Sequence, residues 1–330
     1  MRELLDVYRF RSIGPGTKVY GVIGWPVEHS LSPLVHNAGF EAVGHDGVYL
    51  PLPIAVDEKD PSGEGTYLSF KATLEALLEC EWLDLSGLSV TMPFKEHLWR
   101  WIREGSGGGF TTDYDQRVWE IGAANTLRVD GAASRIVEVA NTDAAAIEAI
   151  VDDALGGIAG KRAAIIGAGG VARAAVWACA SRGADVTIYN RTRGRAEKLV
   201  EELRAVRREG FAGRVEVAEM ESLAACRADV VINCTSVGMA HGSDAQSIAA
   251  PVERMRDLPE HAVFMETVYR PVRTPMLRAA AELGYRTIDG IQMFVEQAAM
   301  QFEMWTGKSA PKQLFERICR EAVAGKDGGA

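Results

Sequence analysis

A glycine-rich turn is the pattern with the clearest chemistry in this sequence. The run from Gly167 to Ala172 reads GAGGVA and departs from G-x-G-x-x-G only at its last position. That position needs only a small residue for close helix–strand packing. The first glycines allow a tight turn and let backbone N–H groups approach a pyrophosphate at a helix N-terminus. Because a strand pattern precedes the run and a helix pattern follows it, we expect a dinucleotide site, with a purely structural turn as the alternative.

The residues after the next predicted strand indicate which dinucleotide would bind. An NAD site usually places Asp or Glu there to hold the ribose 2′-OH, whereas an NADP site places arginine near the 2′-phosphate. This chain has three arginines and no carboxylate there, in the run Asn190-Arg191-Thr192-Arg193-Gly194-Arg195. A guanidinium can bind a phosphate through two hydrogen bonds. We therefore expect NADP, with a solvated basic turn as the alternative.

Composition limits the possible classes of function. The 330 residues are 47% hydrophobic and 25% charged, which is typical of a folded globular protein of about two domains. Asp and Glu number 45 against 36 Lys and Arg, so the net charge is -9. A chain this acidic is a poor candidate for binding nucleic acid or an anionic membrane over a broad surface. A local basic pocket could still hold an anion.

The sequence has no pattern of export or membrane insertion. The N-terminal run MRELLDVYRFRS carries charges throughout and lacks the apolar region of a signal peptide. No apolar run approaches the roughly 18 residues that span a bilayer. The five cysteines are scattered without a CxxC pair, and no histidines are placed for metal binding. We expect a cytoplasmic protein with reduced thiols and no metal.

Alternating strands and helices must position these residues. In the first half, strand patterns cover residues 19–24, 49–52 and 85–90, and helix patterns cover 34–43, 69–79 and 95–100. In the second half, strands at 162–166, 185–189, 215–217, 230–233 and 263–265 accompany helices at 171–181 and 196–208. This alternation predicts parallel α/β layers. Residues 104–110 are expected to form a flexible glycine-rich loop, and the tail from Gly290 is expected to be helical.

Six short motifs, in a fixed order, give nearly the whole chain a resemblance to a known family. They are Gly24-Trp25-Pro26 with His29-Ser30-Leu31-Ser32-Pro33, Val90-Thr91-Met92-Pro93-Phe94-Lys95, Gly122-Ala123-Ala124-Asn125-Thr126, Asn141-Thr142-Asp143, Ile232-Asn233-Cys234-Thr235-Ser236-Val237-Gly238-Met239, and Asp289-Gly290 leading to Gln297 and Trp305-Thr306-Gly307. Together with the glycine turn, they make the chain resemble the shikimate dehydrogenases. These NADP-dependent enzymes interconvert 3-dehydroshikimate and shikimate in aromatic amino acid (chorismate) biosynthesis.

The resemblance implies an α/β fold of two domains, an N-terminal α/β substrate domain and a Rossmann-type NADP-binding domain, with a cleft between them. The expected boundaries are a linker at 1–18, the substrate domain at 19–145, the NADP domain at 146–288, and C-terminal helices at 289–330 that pack back on the substrate domain. Shikimate or 3-dehydroshikimate is the implied small-molecule partner. A monomer and a homodimer both stay open.

The resemblance also implies a catalytic pair, Lys95 and Asp143, which would both contact the substrate. Reduction of a ketone needs a hydride and a proton, and a lysine ammonium near a carboxylate can supply the proton. Asp143 is expected at the N-cap of a helix from Ala144 to Val151, where it would orient the ammonium and accept from a ring hydroxyl. The alternatives are a solvated lysine and a simple helix cap.

Further binding residues follow from the same resemblance. Ser30 and Ser32 would hold the substrate carboxylate, unless they form an ordinary capping turn before Pro33. The residues implied to bind the ring hydroxyls are Thr91, Asn125, Tyr269 and Gln297. The residues implied to bind the cofactor are Gly167, Ala168, Gly169, Gly170, Val171, Asn190, Arg191, Thr192, Arg195, Thr235, Ser236, Thr267 and Gly290. Gln297 could instead be a tolerated polar residue in an apolar stripe, and His29 is expected to be a structural turn residue rather than a proton shuttle.

Two of the departures from the family's pattern concern polar side chains. Ser89 stands where the family usually has asparagine, so a polar arm is shortened and needs a water or a neighbour to compensate. Glu266 stands where aspartate is usual. Neither removes a catalytic group, so shikimate stays the expected substrate. A quinate/shikimate dehydrogenase with dual substrate or cofactor use, and a non-catalytic shikimate-binding regulator, are the alternatives.

Residues 4–15 resemble the join in plant-type bifunctional proteins, where a 3-dehydroquinate dehydratase barrel precedes the dehydrogenase. The chain is expected to be either the dehydrogenase half of such a protein or a free-standing relative that kept the join.

Overall fold

The described chain divides into two compact units. The computed structural model describes residues 13–56, 59–60, 63–105, 110–130, 136–207, 210–240 and 244–327. The first unit comprises the described residues up to Thr142 together with Ala298–Cys319, and the second comprises Asp143–Gln297 with the described residues from Arg320. Most of the family-like join (residues 4–12) and of the glycine-rich segment (residues 106–109) lies outside the described residues.

A six-stranded mixed sheet forms the centre of the first unit. Its strands are β1 (Lys18–Gly24), β2 (Gly47–Pro53), β3 (Leu85–Val90), β4 (Thr111–Tyr114), β5 (Thr126–Val129) and β6 (Ile136–Ala140), in the order β2-β1-β3-β5-β6-β4. β1 is parallel to β2 and β3, whereas β5 is antiparallel to β3 and β6. The predicted parallel layer is therefore confirmed for β1, β2 and β3, and β4 is also parallel to β6. Among the described strands of this sheet, only β5, which the sequence analysis did not predict, runs antiparallel to both of its neighbours. Only residues 130–135 separate β5 from β6, and a parallel crossover needs a dozen residues or more.

Helices cover this sheet and bury its central strand. They are α1 (Ser32–Val43), α2 (Glu64–Glu79), α3 (Lys95–Arg103) and α4 (Gln116–Ile121). Every residue of β3 is buried, as expected for a strand with helices on both faces. Phe70 and Leu74 of α2 and Leu98 and Trp101 of α3 belong to the apolar core against this strand. The carboxyl end of β3 is thus held firmly by packing.

The second unit is built on a fully parallel sheet. Its strands are β7 (Arg162–Ile166), β8 (Asp185–Tyr189), β9 (Val215–Ala218), β10 (Val230–Asn233), β11 (Val263–Glu266) and β12 (Arg286–Ile288), in the order β12-β11-β10-β7-β8-β9. The helices of this part of the chain are α5 (Thr142–Leu155), α6 (Gly170–Ser181), α7 (Arg193–Val206), α8 (Val252–Met255) and α9 (Pro275–Glu282). The chain runs outward from β7 in both directions, so the strand order reverses between β7 and β10. This is the Rossmann arrangement, whose ligand crevice lies at the reversal point.

The C-terminal part of the chain consists of α10 (Gly290–Thr306) and α11 (Lys312–Asp327). Trp305 Nε1 donates to the Leu127 carbonyl at 2.8 Å, within the first unit. A Cβ at Gly87 would lie 2.4 Å from Trp305 Nε1, so only glycine fits at that point of β3. Along the part of the chain that the structure describes, no helix combines the length and the apolar composition needed to cross a membrane.

Candidate active site

Thr91 and Lys95 follow directly on the carboxyl end of β3. The N–H of Thr91 donates to the Ile23 carbonyl at 2.8 Å, and the Thr91 carbonyl accepts from the N–H of Phe94 at 2.9 Å. This turn leads into α3, whose first residue is Lys95. Both Thr91 and Lys95 are half-buried. Each side chain is therefore held at its base and still accessible to a small ligand.

A close approach of β1 fixes the position of Thr91. A Cβ at Gly24 would lie 2.2 Å from Thr91 Cγ2 and 2.8 Å from Val27 Cγ1, so a larger residue does not fit. The N–H of Trp25 donates to the Met92 carbonyl at 3.0 Å. Two of the sequence motifs thus pack against each other through the end of β1.

Main-chain hydrogen bonds bring Asn125 to the same end of β3. The Asn125 carbonyl accepts from the N–H of Val90 at 2.8 Å, and the N–H of Ala124 donates to the Lys95 carbonyl at 3.0 Å. Asn125 is buried, with 2% of its surface exposed. Three residues predicted to bind substrate, Thr91, Lys95 and Asn125, therefore lie close together.

The side chain of Asn125 is held by the start of α5. Its Oδ1 accepts from the N–H of Thr142 at 2.8 Å and from Thr126 Oγ1 at 2.9 Å, and its Nδ2 donates to Thr142 Oγ1 at 2.9 Å. A backbone N–H can only donate, so the contact with Thr142 fixes which end of the amide carries the oxygen.

Ser30 and Ser32 lie in the turn that leads into α1. Ser30 Oγ accepts from the N–H of Ser32 at 3.2 Å, and the N–H of Ser30 donates to the Val27 carbonyl at 3.0 Å. The local turn of the alternative interpretation is therefore present. A hydroxyl oxygen that accepts in this way keeps its own hydrogen for another acceptor. Binding of a carboxylate by this pair stays a prediction.

Neighbouring side chains form hydrogen bonds with Ser89, whose side chain is shorter than that of the asparagine that the family usually has there. Its hydroxyl accepts from the Tyr49 phenol at 2.7 Å and donates to Gln301 Oε1 at 2.8 Å. Burial raises the pKa of Tyr49, opposed by hydrogen bonds with Ser89 and Ser32. Sequence reasoning gave Tyr49 and Gln301 no role, and no spacing signal connects either of them with Ser89.

Asp143 is not the N-cap that the sequence predicts. Helix α5 begins at Thr142, so Asp143 lies inside the first turn, with 3% of its surface exposed. The physical reason is that Asn125 Oδ1 accepts from the N–H of Thr142 and takes over part of the capping from another element. A carboxylate in the first turn also interacts favourably with the helix dipole. The catalytic role of Asp143 stays a prediction.

In the second unit, the glycine turn joins the ends of three neighbouring strands. Gly167 has φ +119°, which favours glycine, and a Cβ there would lie 3.1 Å from Thr235 Cγ2. The N–H of Gly167 donates to the Tyr189 carbonyl at 2.8 Å, and the N–H of Cys234 donates to the Ile166 carbonyl at 2.8 Å. The turn therefore lies at the reversal point of the sheet, where this fold binds its ligands.

The N-terminus of α6 is open above this turn. Gly169 precedes the helix and is exposed, and nothing lies within 4 Å of a Cβ built on it. The first N–H groups of a helix have no partner within the helix and carry the positive end of its dipole. The turn from Gly167 to Val171 therefore presents the open backbone donors that a pyrophosphate requires, and its binding there stays a prediction.

The three arginines after β8 differ in their contacts. Arg193 forms ion pairs with Glu197 at 2.7 Å and with Glu219 at 2.8 Å. Arg191 and Arg195 are exposed and form no ion pair with any residue that the structure describes. Arg193 is thus occupied by carboxylates, and Arg191 and Arg195 are the better candidates for a phosphate.

Asn233 organises the loop that contains Thr235 and Ser236. Its Oδ1 accepts from the N–H of Thr235 at 3.0 Å and from Thr235 Oγ1 at 2.7 Å. Its main-chain carbonyl accepts from Thr267 Oγ1 at 2.9 Å. Thr235 and Thr267, both predicted to lie near the nicotinamide, are therefore held by one buried asparagine. In the sequence analysis, Asn233 appeared only as a member of a motif and had no role of its own.

Glu266 is a buried carboxyl group behind the same loop. It is fully buried, and it accepts from Asn233 Nδ2 at 2.9 Å and from Thr274 Oγ1 at 2.7 Å. Burial raises the pKa of Glu266 to about 8, opposed by the hydrogen bonds from Thr274 and Asn233.

Gly290 begins α10 in close contact with the chain after β11. A Cβ at Gly290 would lie 2.2 Å from the Val268 carbonyl oxygen and 2.8 Å from the backbone nitrogen of Tyr269, so only glycine fits. The Tyr269 ring lies 5.1 Å from the Phe294 ring, and Gln297 Nε2 donates to the Phe294 carbonyl at 3.1 Å. Tyr269, Gly290 and Gln297 are thus neighbours within the second unit. In the described ranges, no group of three or more His, Cys, Asp or Glu side chains is placed to hold a metal ion.

Models of known families match three stretches of the chain. Residues 22–127 match the shikimate dehydrogenase substrate binding domain, and residues 149–249 match shikimate / quinate 5-dehydrogenase. Residues 290–320 match the shikimate 5'-dehydrogenase C-terminal domain. The matched stretches contain most of the residues described above.

Curated relatives and a solved structure extend the similarity to almost the whole chain. The shikimate dehydrogenase (NADP(+)) of Methanocella arvoryzae is 38% identical over 310 residues, which cover 92% of this chain and 99% of the relative. The chloroplastic bifunctional 3-dehydroquinate dehydratase/shikimate dehydrogenase of Arabidopsis thaliana is 33% identical over 96% of this chain, which spans 49% of that relative's length. The crystal structure of shikimate 5-dehydrogenase from Thermus thermophilus in complex with NADP(H) and shikimate has a TM-score of 0.72 at 27% identity, with 93% of this chain and 100% of the other covered. The chain therefore belongs to the shikimate dehydrogenase family.

Proposed function

We propose that this protein is an NADP-dependent shikimate dehydrogenase, which reversibly reduces the ketone of 3-dehydroshikimate to the alcohol of shikimate. The observation that carries the proposal is the placement of Thr91, Lys95 and Asn125 at one end of β3, in a chain of this family. The relative from Methanocella arvoryzae, which the chain covers almost completely, is named for this activity and this cofactor.

The proposed chemistry assigns the proton to Lys95. NADPH, when bound, supplies the hydride that forms the new C–H bond, and the electron pair of the carbonyl bond moves to the oxygen. The Lys95 ammonium donates its proton to that oxygen, and in the reverse direction the neutral amine takes the proton back. Asp143 accepts a hydrogen bond from a ring hydroxyl of the substrate.

Several fixed hydrogen-bonding groups orient the substrate in this proposal. Ser30 and Ser32 bind the carboxylate through their hydroxyls. The groups that bind the ring hydroxyls are those of Thr91, Asn125, Tyr269 and Gln297. A small substrate with several hydroxyls needs many such partners, since few apolar contacts are available to orient it.

The residues of the second unit fit NADP. The open N-terminus of α6 fits the pyrophosphate, and Arg191 and Arg195, with Asn190 and Thr192, fit the 2′-phosphate. The loop of Thr235 and Ser236, together with Thr267 and Gly290, fits the nicotinamide end. The same proposal places the enzyme in the cytoplasm, where its five free thiols stay reduced.

A two-by-two turnover assay tests the proposal. The purified protein is supplied with shikimate or quinate and with NADP+ or NAD+, and growth of the reduced-nicotinamide absorbance is followed. We expect turnover with shikimate and NADP+ to have by far the highest kcat/KM. Turnover with quinate and not with shikimate would make the protein a quinate dehydrogenase. Binding of shikimate and NADP+ in calorimetry without any turnover would make it a regulator instead.

A further inference from the structure

A buried chain of hydrogen-bonded side chains crosses the first unit. The Tyr49 phenol donates to Ser89 Oγ at 2.7 Å, and Ser89 Oγ donates to Gln301 Oε1 at 2.8 Å. Gln301 Nε2 donates to Thr126 Oγ1 at 2.9 Å, and Thr126 Oγ1 donates to Asn125 Oδ1 at 2.9 Å. All five residues are buried. Buried polar groups need hydrogen-bond partners, so this row of side chains is stable only when every one of its groups is paired.

The donor and the acceptor of each hydrogen bond in this row of side chains can be assigned in only one way. Gln301 Nε2 also donates to the main-chain carbonyl of Asn125 at 3.2 Å. A carbonyl only accepts, so this contact fixes the amide of Gln301 with its oxygen toward Ser89. Ser89 must then donate to Gln301 and accept from Tyr49.

The same assignment determines what Asn125 can offer to a ligand. The Thr126 hydroxyl accepts from Gln301 Nε2 and gives its own hydrogen to Asn125 Oδ1 at 2.9 Å, because an amide oxygen can only accept; the contact with Thr142 Oγ1 is longer, at 3.4 Å. That oxygen also accepts from the N–H of Thr142, so both of its lone pairs are used. Of the two Nδ2 hydrogens, one goes to Thr142 Oγ1 and the other has no partner among the residues that the structure describes. Asn125 is thus set to meet a ligand as a hydrogen-bond donor.

We propose that Gln301 is a positioning residue, which acts through Thr126 to hold the Asn125 amide with its N–H toward a substrate oxygen. The inference rests on the proposed function, in which Asn125 binds a ring hydroxyl. The described hydrogen bonds of the Gln301 side chain go to Ser89, Thr126 and the Asn125 carbonyl, so its action on the ligand is assigned to these neighbours. The oxygen that Asn125 selects is one that can accept, such as that of a hydroxyl or a ketone.

Replacement of Gln301 by methionine tests this role. Methionine keeps the length of the side chain and removes both its donor and its acceptor. We expect kcat/KM for shikimate to fall about tenfold, equivalent to about 1.4 kcal/mol, with the KM for NADP+ changed by less than about twofold. Gln292→Met is the matched control, since Gln292 is an exposed glutamine on the same helix, and it should leave both constants unchanged.

A second variant separates positioning from a merely structural role. Thr126→Val keeps the shape of the side chain and removes the hydroxyl that links Gln301 to Asn125. Because the two residues act along one path, the double variant should lose no more kcat/KM for shikimate than Thr126→Val alone. Thr126→Val also carries the test if Gln301→Met does not fold.

The outcomes distinguish this inference from the proposed function. A wild-type protein without turnover of shikimate would contradict the proposed function and this inference with it. An active wild type whose Gln301→Met and Thr126→Val variants keep kcat/KM for shikimate, with only a lower unfolding temperature, would contradict the positioning role alone. Fully additive losses in the double variant would also contradict it.

Discussion

Asn233 and Glu266 are joined by a buried hydrogen bond, in which Asn233 Nδ2 donates to Glu266 Oε2 over 2.9 Å. The other end of the Asn233 amide accepts from the N–H and the hydroxyl of Thr235. A carboxyl group with no proposed contact to the cofactor therefore supports the loop that we assign to the nicotinamide end. Its protonation should influence how well that loop is held.

Glu266→Gln should remove a pH-dependent part of the stability. Burial raises the pKa of Glu266 to about 8 in the folded state, against an ordinary value of 4.5. The folded state binds the proton of the Glu266 carboxyl group more tightly than the unfolded state does. The resulting contribution to the free energy of unfolding is therefore full below about pH 4.5 and is lost as the pH rises toward 8. The loss amounts to at most about 1.4 kcal/mol per pH unit.

The measurement is the unfolding temperature as a function of pH. Across this window we expect the wild-type temperature to fall more steeply than that of Glu266→Gln. Glu253→Gln is the control, because Glu253 is exposed, and it should follow the wild type. Equal slopes of unfolding temperature against pH for all three proteins would contradict a raised pKa of Glu266 in the folded state.

The arginines after β8 should differ in their effect on the cofactor. Arg191→Ala and Arg195→Ala should each raise the KM for NADP+ about tenfold, since a hydrogen bond between charged groups contributes roughly 1.5–3 kcal/mol. The KM for NAD+, which lacks the 2′-phosphate, should change little. Arg193→Ala is the matched control, because Arg193 already pairs with Glu197 and Glu219. Steady-state kinetics with both cofactors decide this, and equal changes for NADP+ and NAD+ would disprove the phosphate contact.

Gly24→Ala should impair substrate binding by displacing Thr91. The added Cβ would lie 2.2 Å from Thr91 Cγ2, so we expect a loss of about 1–3 kcal/mol in stability and a higher KM for shikimate. Thr91→Ser removes that methyl group and keeps the hydroxyl. The double variant should therefore recover part of both losses, although the contact with Val27 persists. Losses that simply add in the double variant would show that the clash lies elsewhere.

His36 should make the protein sensitive to acid. Its ring is fully buried and stacks on Tyr49 at 4.6 Å between centroids, and neither ring nitrogen has a hydrogen-bond partner in the described part of the chain. Burial lowers the pKa of His36 to about 3, partly opposed by the neighbouring Gln301. The unfolded chain protonates His36 more readily than the folded chain does. The contribution of the neutral, buried ring to the free energy of unfolding is therefore full above about pH 6.5 and is lost as the pH falls toward 3.

His36→Leu should flatten the acid side of the stability curve. Denaturant unfolding between these pH values measures the effect, which amounts to at most about 1.4 kcal/mol per pH unit. His29→Leu, at an exposed histidine, should keep the wild-type slope. An unchanged slope in His36→Leu would mean that the acid sensitivity arises from other groups.

Local patterns predicted most of the second unit. The strands β7, β8 and β10 lie where the sequence places them, because each is a buried β-rich run bounded by turn residues. The glycine turn follows β7 as its motif requires. In the first unit, β5 and β6 were missed because both are short and their antiparallel pairing leaves no strand–helix alternation to read.

The network around Asn125 could not be predicted from spacing. Ser89 and Gln301 are 212 positions apart and meet because the part of α10 from Ala298 onward belongs to the first unit. In the sequence, Gln301 belongs to a helix whose apolar stripe predicts packing, and nothing distinguishes it from a tolerated polar residue. The N-cap prediction for Asp143 failed for a similar reason, since the group that binds the N–H of Thr142 comes from Asn125.

The stoichiometry of the reaction tests most directly whether the protein is a shikimate dehydrogenase with Lys95 as its proton donor. Purified protein is incubated with shikimate and NADP+, and the amounts of NADPH and 3-dehydroshikimate formed are measured together, with Lys95→Met as the comparison. We expect one NADPH for each 3-dehydroshikimate in the wild type and no turnover in the folded Lys95→Met protein. A wild type that forms neither product, or a Lys95→Met variant with wild-type kcat, would contradict this expectation.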